Sequence, residues 1–199
     1  MKQVKIWYYL IPFLFYIFIQ VLFDGIGFSE YVYIVKILVV GFFMLLFWKH
    51  YQLDFKKTKW ELAFLSGLII ILIWIALGFI LPVKSEFNPT ASDIIIRIFG
   101  SILIAPLIEE LFTRHFLYRY LINEKFYSIK PKFEFIPFIL TVGFFGFFHS
   151  AWIAGMIVGL ILNFLYIKTK NIEDCIIAHS VANLLLAIFI ILFQQWSFW

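Results

Sequence analysis

Apolar residues run along this chain in long, nearly unbroken blocks, with polar residues collected between them. Seven blocks stand out, at 6–23, 31–48, 62–83, 94–118, 135–149, 151–167 and 175–197. A helix needs about 20 mostly apolar residues to cross the ~30 Å hydrocarbon core of a bilayer. Lipid offers backbone N–H and C=O groups no partners, so such blocks form helices, and the period-2 alternation of a membrane barrel is absent. The pattern predicts an all-α, polytopic integral membrane helix bundle of about seven membrane segments. The fifth block is short, since about 15 helical residues rise only ~22 Å. Little more than Ser150 separates it from the sixth, so 135–149 and 151–167 read as a candidate re-entrant hairpin entering from the cytoplasm.

Composition narrows the class. Of 199 residues, 64% are hydrophobic and 14% charged, against about 25% charged in an ordinary soluble domain. That excludes a soluble globular domain, a disordered chain and a nucleic-acid-binding module, and makes the lipid bilayer the main partner. The single cysteine, Cys175, excludes an intrachain disulfide framework. Met1 to Lys5 resembles a basic signal-peptide n-region, but the run 6–23 is too long for a cleaved h-region and reads as a retained anchor.

Charge then orients the bundle. With the N-terminus inside and seven crossings, the inner positions hold Lys2, Lys5, Lys49, Lys56, Lys57, Lys59, Arg119, Lys125, Lys130, Lys132, Lys168 and Lys170. The outer loops hold only Lys84, with Asp24, Glu30, Glu86 and Asp93. The positive-inside rule puts the N-terminus in the cytoplasm and the C-terminus outside. Trp196 and Trp199 suit an interfacial aromatic belt.

Candidate chemistry lies in the polar groups that interrupt the blocks, because an ionisable side chain costs a few kcal/mol in a membrane helix. Glu109 and Glu110 are adjacent in 94–118, and Arg114 stands four residues after Glu110, on its face. Glu110 and Arg114 read as an ion pair. Glu109, rotated by about 100°, is left as a general-base candidate. His149 closes the fifth block. His179 shares a helical face with Asn183 in the seventh. His50, in the basic inner loop, and His115, near the inner end of its helix, are weaker candidates.

Glu109-Glu110-x-x-x-Arg114, Phe145-x-x-x-His149 and His179-x-x-x-Asn183 resemble, in order, the three motifs of the CAAX protease and bacteriocin-processing (Abi) family, related to type II CAAX prenyl endopeptidases. The resemblance implies N-terminal transmembrane helices over 1–90 and a catalytic core over 91–199. It implies an intramembrane endopeptidase cleaving a membrane-anchored protein or peptide. Glu109 and His149 would activate water, His179 and Asn183 would form an oxyanion site, and Glu110 and Arg114 would order it. The reading expects no cofactor. Glu109, His149 and His179 are the alternative zinc set, although no H-E-x-x-H or other zinc spacing is present. Water is expected from the cytoplasmic side. Thr113-Arg114-His115 departs from the family's usual aromatic, Arg, Gly continuation and leaves the substrate subgroup open. The competing functions are a non-enzymatic bacteriocin-immunity or interaction protein and a small proton-coupled transporter.

Overall fold

The computed structural model describes residues 6–26, 29–83 and 89–199. Lys2, Lys5, Lys84 and Glu86, used in the charge count, lie outside the described residues, as do the side chains of Asp24 and Glu30. The architecture is an all-α membrane bundle. Its helices are α1 (Trp7–Ile26), α2 (Ser29–Tyr51), α3 (Trp60–Ile80), α4 (Ala91–Ile122), α5 (Phe135–Phe147), α6 (Trp152–Thr169) and α7 (Ile172–Phe193). By length and composition α3, α4, α6, α7 and residues Val32–Tyr51 of α2 are long and apolar enough to cross a membrane, and α5 is shorter. The chain is an integral membrane protein.

Pairing follows from side-chain contacts. α1 and α2 are antiparallel: Tyr51 donates its hydroxyl hydrogen to the Tyr8 carbonyl (2.9 Å), and Phe15 stacks on Phe43 near mid-length. α3 and α7 run parallel, so that Gly67 lies against Ala178 and Val181 while Phe79 meets Phe189. α5 and α6 cross closely through small residues. A Cβ on Gly155 would stand 3.0 Å from the Gly146 Cα and 3.1 Å from the His149 Cβ. Lipid supplies no hydrophobic drive between helices, so backbone approach of this kind is what holds such a hairpin together.

All described loop cations gather at one end. The Asp54 and Lys59 N–H groups donate to the carboxylates of Glu173 and Asp174, the latter at 2.7 Å, and join the α2–α3 loop to the start of α7. Tyr118 donates to the Lys132 carbonyl (2.9 Å), which ties in the α4–α5 loop. In the exposed α2–α3 loop Lys57 holds the Asp54 carboxyl below its ordinary range. Glu173 and Asp174 belong to the first turn of α7, where carboxylates complement the helix dipole. The helix therefore starts at Ile172, three residues before the seventh apolar block.

α4 is a 32-residue helix, longer than the block that announced it. A Thr90–Asp93 capping box starts it. Two π-helical stretches, Gly100–Ile104 and Leu111–Tyr118, flank the carboxylate pair. The first is explained by Pro106. A proline has no N–H, and its ring collides with the preceding turn of an α-helix. The wider turn accommodates it, and the Ala105 N–H bonds to the Gly100 carbonyl. In that register the Ser101 carbonyl would need the N–H of residue 106, which does not exist. Membrane backbone cannot stay unbonded, and the Asn183 side-chain amide donates to the Ser101 carbonyl at 2.7 Å.

Candidate active site

A cavity of about 420 Å³ lies among α3, α4, α6 and α7 and the α5–α6 turn. Glu109, His149, His179 and Asn183, the four residues read as catalytic, all line it. Glu110 and Arg114 do not. They lie fully buried beneath its floor.

Glu109 faces the cavity as its 100° offset from Glu110 requires. Its Oε1 accepts a hydrogen bond from the Tyr16 hydroxyl (2.9 Å). Its Oε2 is buried without a hydrogen-bond partner and faces His149 Nε2 at 3.9 Å. That separation exceeds a direct hydrogen bond and suits one that is bridged by a water. The His149 Nδ1 lies 2.7 Å from the Phe145 carbonyl. A carbonyl only accepts, so Nδ1 carries a proton, and in the neutral form the Nε2 lone pair faces the cavity. The four-residue spacing of Phe145 and His149 therefore sets the tautomer.

Beneath the floor, Glu110 Oε1 accepts from Arg114 Nη1 (3.0 Å) and from His179 Nδ1 (2.9 Å). Arg114 also donates through Nε to the Asn163 side-chain oxygen (3.2 Å), and Asn163 donates to Thr141 Oγ1 (2.9 Å). The network joins α4, α5, α6 and α7. The Phe145 ring lies under the Arg114 guanidinium at 4.1 Å and beside both histidines, with centroids 4.6 Å from His149 and 5.8 Å from His179. Phe145 thus spaces the groups it touches.

The α5–α6 turn stops level with Glu109, 18 residues into α4, which brings His149 to the carboxylate as the short fifth block requires. Two other outcomes differ from expectation. Tyr16, on α1, was missed, because a tyrosine in an apolar block carries no spacing signal. The cavity is also lined by Val83, Arg97 and Trp199, at the ends of α3, α4 and the chain remote from the cationic loops. Toward the cationic face the space is filled by Arg114, Tyr118, Phe126 and Tyr166, each at most 2% exposed. Entry of water from the cationic side is overturned by that packing. His50 stacks on Tyr8 and His115 contacts Arg119, and neither lines the cavity.

Among the described residues no three His, Cys, Asp or Glu side chains converge as metal ligands. His179 Nδ1 is held by Glu110 and His149 Nδ1 by a carbonyl, which leaves the Nε2 of each ring for any further partner.

Residues 91–185 match the family model described as type II CAAX prenyl endopeptidase Rce1-like. The match begins where α4 begins and ends two residues after Asn183, so it takes in all three motifs. No curated protein and no solved structure matches the chain.

Proposed function

We propose, from the premise that over residues 91–185 this chain belongs to the type II CAAX prenyl endopeptidase Rce1-like family, that it is an intramembrane endopeptidase cutting a membrane-anchored protein or peptide. The family supports a membrane protease of CAAX type. The finer reading rests on one observation: a buried carboxylate oxygen of Glu109, without a hydrogen-bond partner, faces the Nε2 of His149 across 3.9 Å at the floor of a cavity.

The chemistry follows from that spacing. A water held between the two groups gives its proton to Glu109 as its oxygen attacks the scissile carbonyl carbon. His149, its tautomer set by Phe145, orients the water through Nε2. Negative charge gathers on the former carbonyl oxygen, where it needs pre-positioned donors. Asn183 spends one amide hydrogen on the Ser101 carbonyl and keeps a second for the oxyanion. His179, with its Nδ1 proton on Glu110, adds an Nε2 donor when it carries a second proton. Collapse breaks the C–N bond, and the proton on Glu109 passes to the leaving amine. No step uses a metal. Retention of activity after exhaustive chelation, with no stoichiometric metal in the purified protein, is the expected result on that point.

Glu109→Gln keeps the shape of the side chain and removes the base. It abolishes cleavage while insertion and accumulation stay as in the unchanged protein, read by comparing membrane peptides from cells carrying each form. Full turnover in Glu109→Gln would leave the interaction-protein reading in its place. We also place the N-terminus in the cytoplasm and the C-terminus outside, on the one-sided distribution of Lys and Arg.

A further inference from the structure

We infer that the catalytic cavity opens on the extracytoplasmic face, so that its substrate is a polypeptide segment presented outside the cytoplasm. The inference rests on the endopeptidase reading for the word substrate, and on geometry for the side.

The geometry comes from where each element meets the cavity. α3 lines it with Ile70, Trp74 and Gly78, from its middle to its later end, and Val83 follows beyond. α4, running the other way, lines it with Arg97, Ser101 and Glu109, all before the buried ion pair. α7 contributes His179, Asn183 and Leu186, and the chain returns over the same end with Phe198 and Trp199. Phe198 packs on Phe79 and Phe189 (centroids 5.5 Å each), which anchors that return. The lining thus runs from the floor at Glu109 and His179 to Val83, Arg97 and Trp199, at the end remote from the cationic loops.

The opposite end is closed twice. Glu110, Arg114 and Asn163 form one buried hydrogen-bonded layer beneath the floor, joined to it through His179 Nδ1. Below them Tyr9 packs against Phe116 (5.7 Å) and Phe126 (5.5 Å), and Phe126 against Phe116 (5.2 Å). Beyond that plug stand Lys49, Lys56, Lys57, Lys59, Lys125, Lys130, Lys132, Lys168 and Lys170. Cations beside short loops are retained on the cytoplasmic side during insertion. The open end is then the outer one.

The chemistry of the walls narrows what enters. Above the Glu109 floor they are mostly apolar, with Ile70, Ile71, Trp74, Val158 and Leu186, and the volume lies within the range of ordinary ligand sites. An exported peptide, or the outward-facing end of a membrane-anchored protein with apolar side chains at the cut, meets that description. A chain end confined to the cytoplasm does not reach it.

Cysteine labelling tests the side. Cys175 is buried, so the unchanged chain is the blank. Ser197→Cys and Val83→Cys report on the mouth, and Lys57→Cys and Lys132→Cys on the cationic loops, where both lysines are exposed. With a membrane-impermeant maleimide on intact cells, the mouth cysteines label fully and the loop cysteines label only after permeabilisation. The reverse pattern overturns the inference. The two mouth variants guard against either one failing to insert. Mapping Glu109-dependent cleavage products tests the substrate: bonds in extracytoplasmic segments are expected. Glu109-dependent cuts in cytoplasmic segments would sink the inference and leave the protease standing. The absence of any Glu109-dependent product, with the mouth labelled from outside, would instead remove the protease and the substrate with it.

Discussion

If Glu109 is the base, as proposed, the hydrogen bond from Tyr16 holds it in position. A hydrogen bond to a charged group is worth about 1.5–3 kcal/mol, so Tyr16→Phe is expected to lower turnover about ten- to a hundredfold. KM should stay near its original value, because the phenylalanine keeps the ring and removes only the donor. An unchanged rate constant would show that Glu109 holds its place without Tyr16. Arg114 answers to stability. Removing one partner of a buried ion pair leaves the other charge uncompensated, at a cost of about 3–5 kcal/mol. Arg114→Met should lower the unfolding midpoint in detergent by a corresponding amount, and adding Glu110→Gln should recover part of it. The spacing of Glu110 and Arg114 was legible in the sequence because a one-turn relation on a helix is local. The His179 contact with Glu110 was not, since 69 positions separate them.

Among the elements, α4 carries the most. Its identity as a membrane helix was plain from its hydropathy, but its two π-helical stretches were not. The physical link is Pro106, whose missing N–H leaves the Ser101 carbonyl to Asn183. Pro106→Ala restores an N–H where the carbonyl can use it and loosens Asn183. The loss of about one hydrogen bond predicts a roughly tenfold fall in turnover, with stability unchanged or higher because an interior proline is gone. A fall in both together would mean that Pro106 serves packing only. The α5–α6 hairpin shows the reverse balance. The shortness of its first helix could be counted from the sequence, and Glu109 and His149 made sense together only if the turn stopped early. The seam of Gly146 and Gly155 that holds the turn there emerged from the packing.

Across the whole molecule, the family match covers residues 91–185, yet the site does not stop at that boundary. Tyr16 reaches Glu109 from α1, and Ile70, Ile71 and Trp74 wall the cavity from α3. We expect residues 91–199 expressed alone to show no Glu109-dependent cleavage, even where they insert. Co-expression with residues 1–90 should restore some of it if the two parts pair. Activity from 91–199 alone, measured in the same membranes, would confine the catalytic unit to the matched core. Division of the chain at residue 90 therefore serves as a proposal about ancestry of the core more than about independence of its chemistry.

The sequence by itself determined the solvent, the helices and the identity of the groups worth watching, because burying a charge in lipid is costly enough that a polar residue in an apolar block stands out. It also determined one cationic face, since the position of a lysine relative to a hydrophobic block needs no folding to be seen. Tertiary structure alone decided which of those groups meet. The Glu109–His149 approach, the Tyr16 donor and the end at which the cavity opens all depend on contacts between helices far apart in the chain. The crossing of helices is set by side-chain volume and backbone approach, and hydropathy carries no record of either.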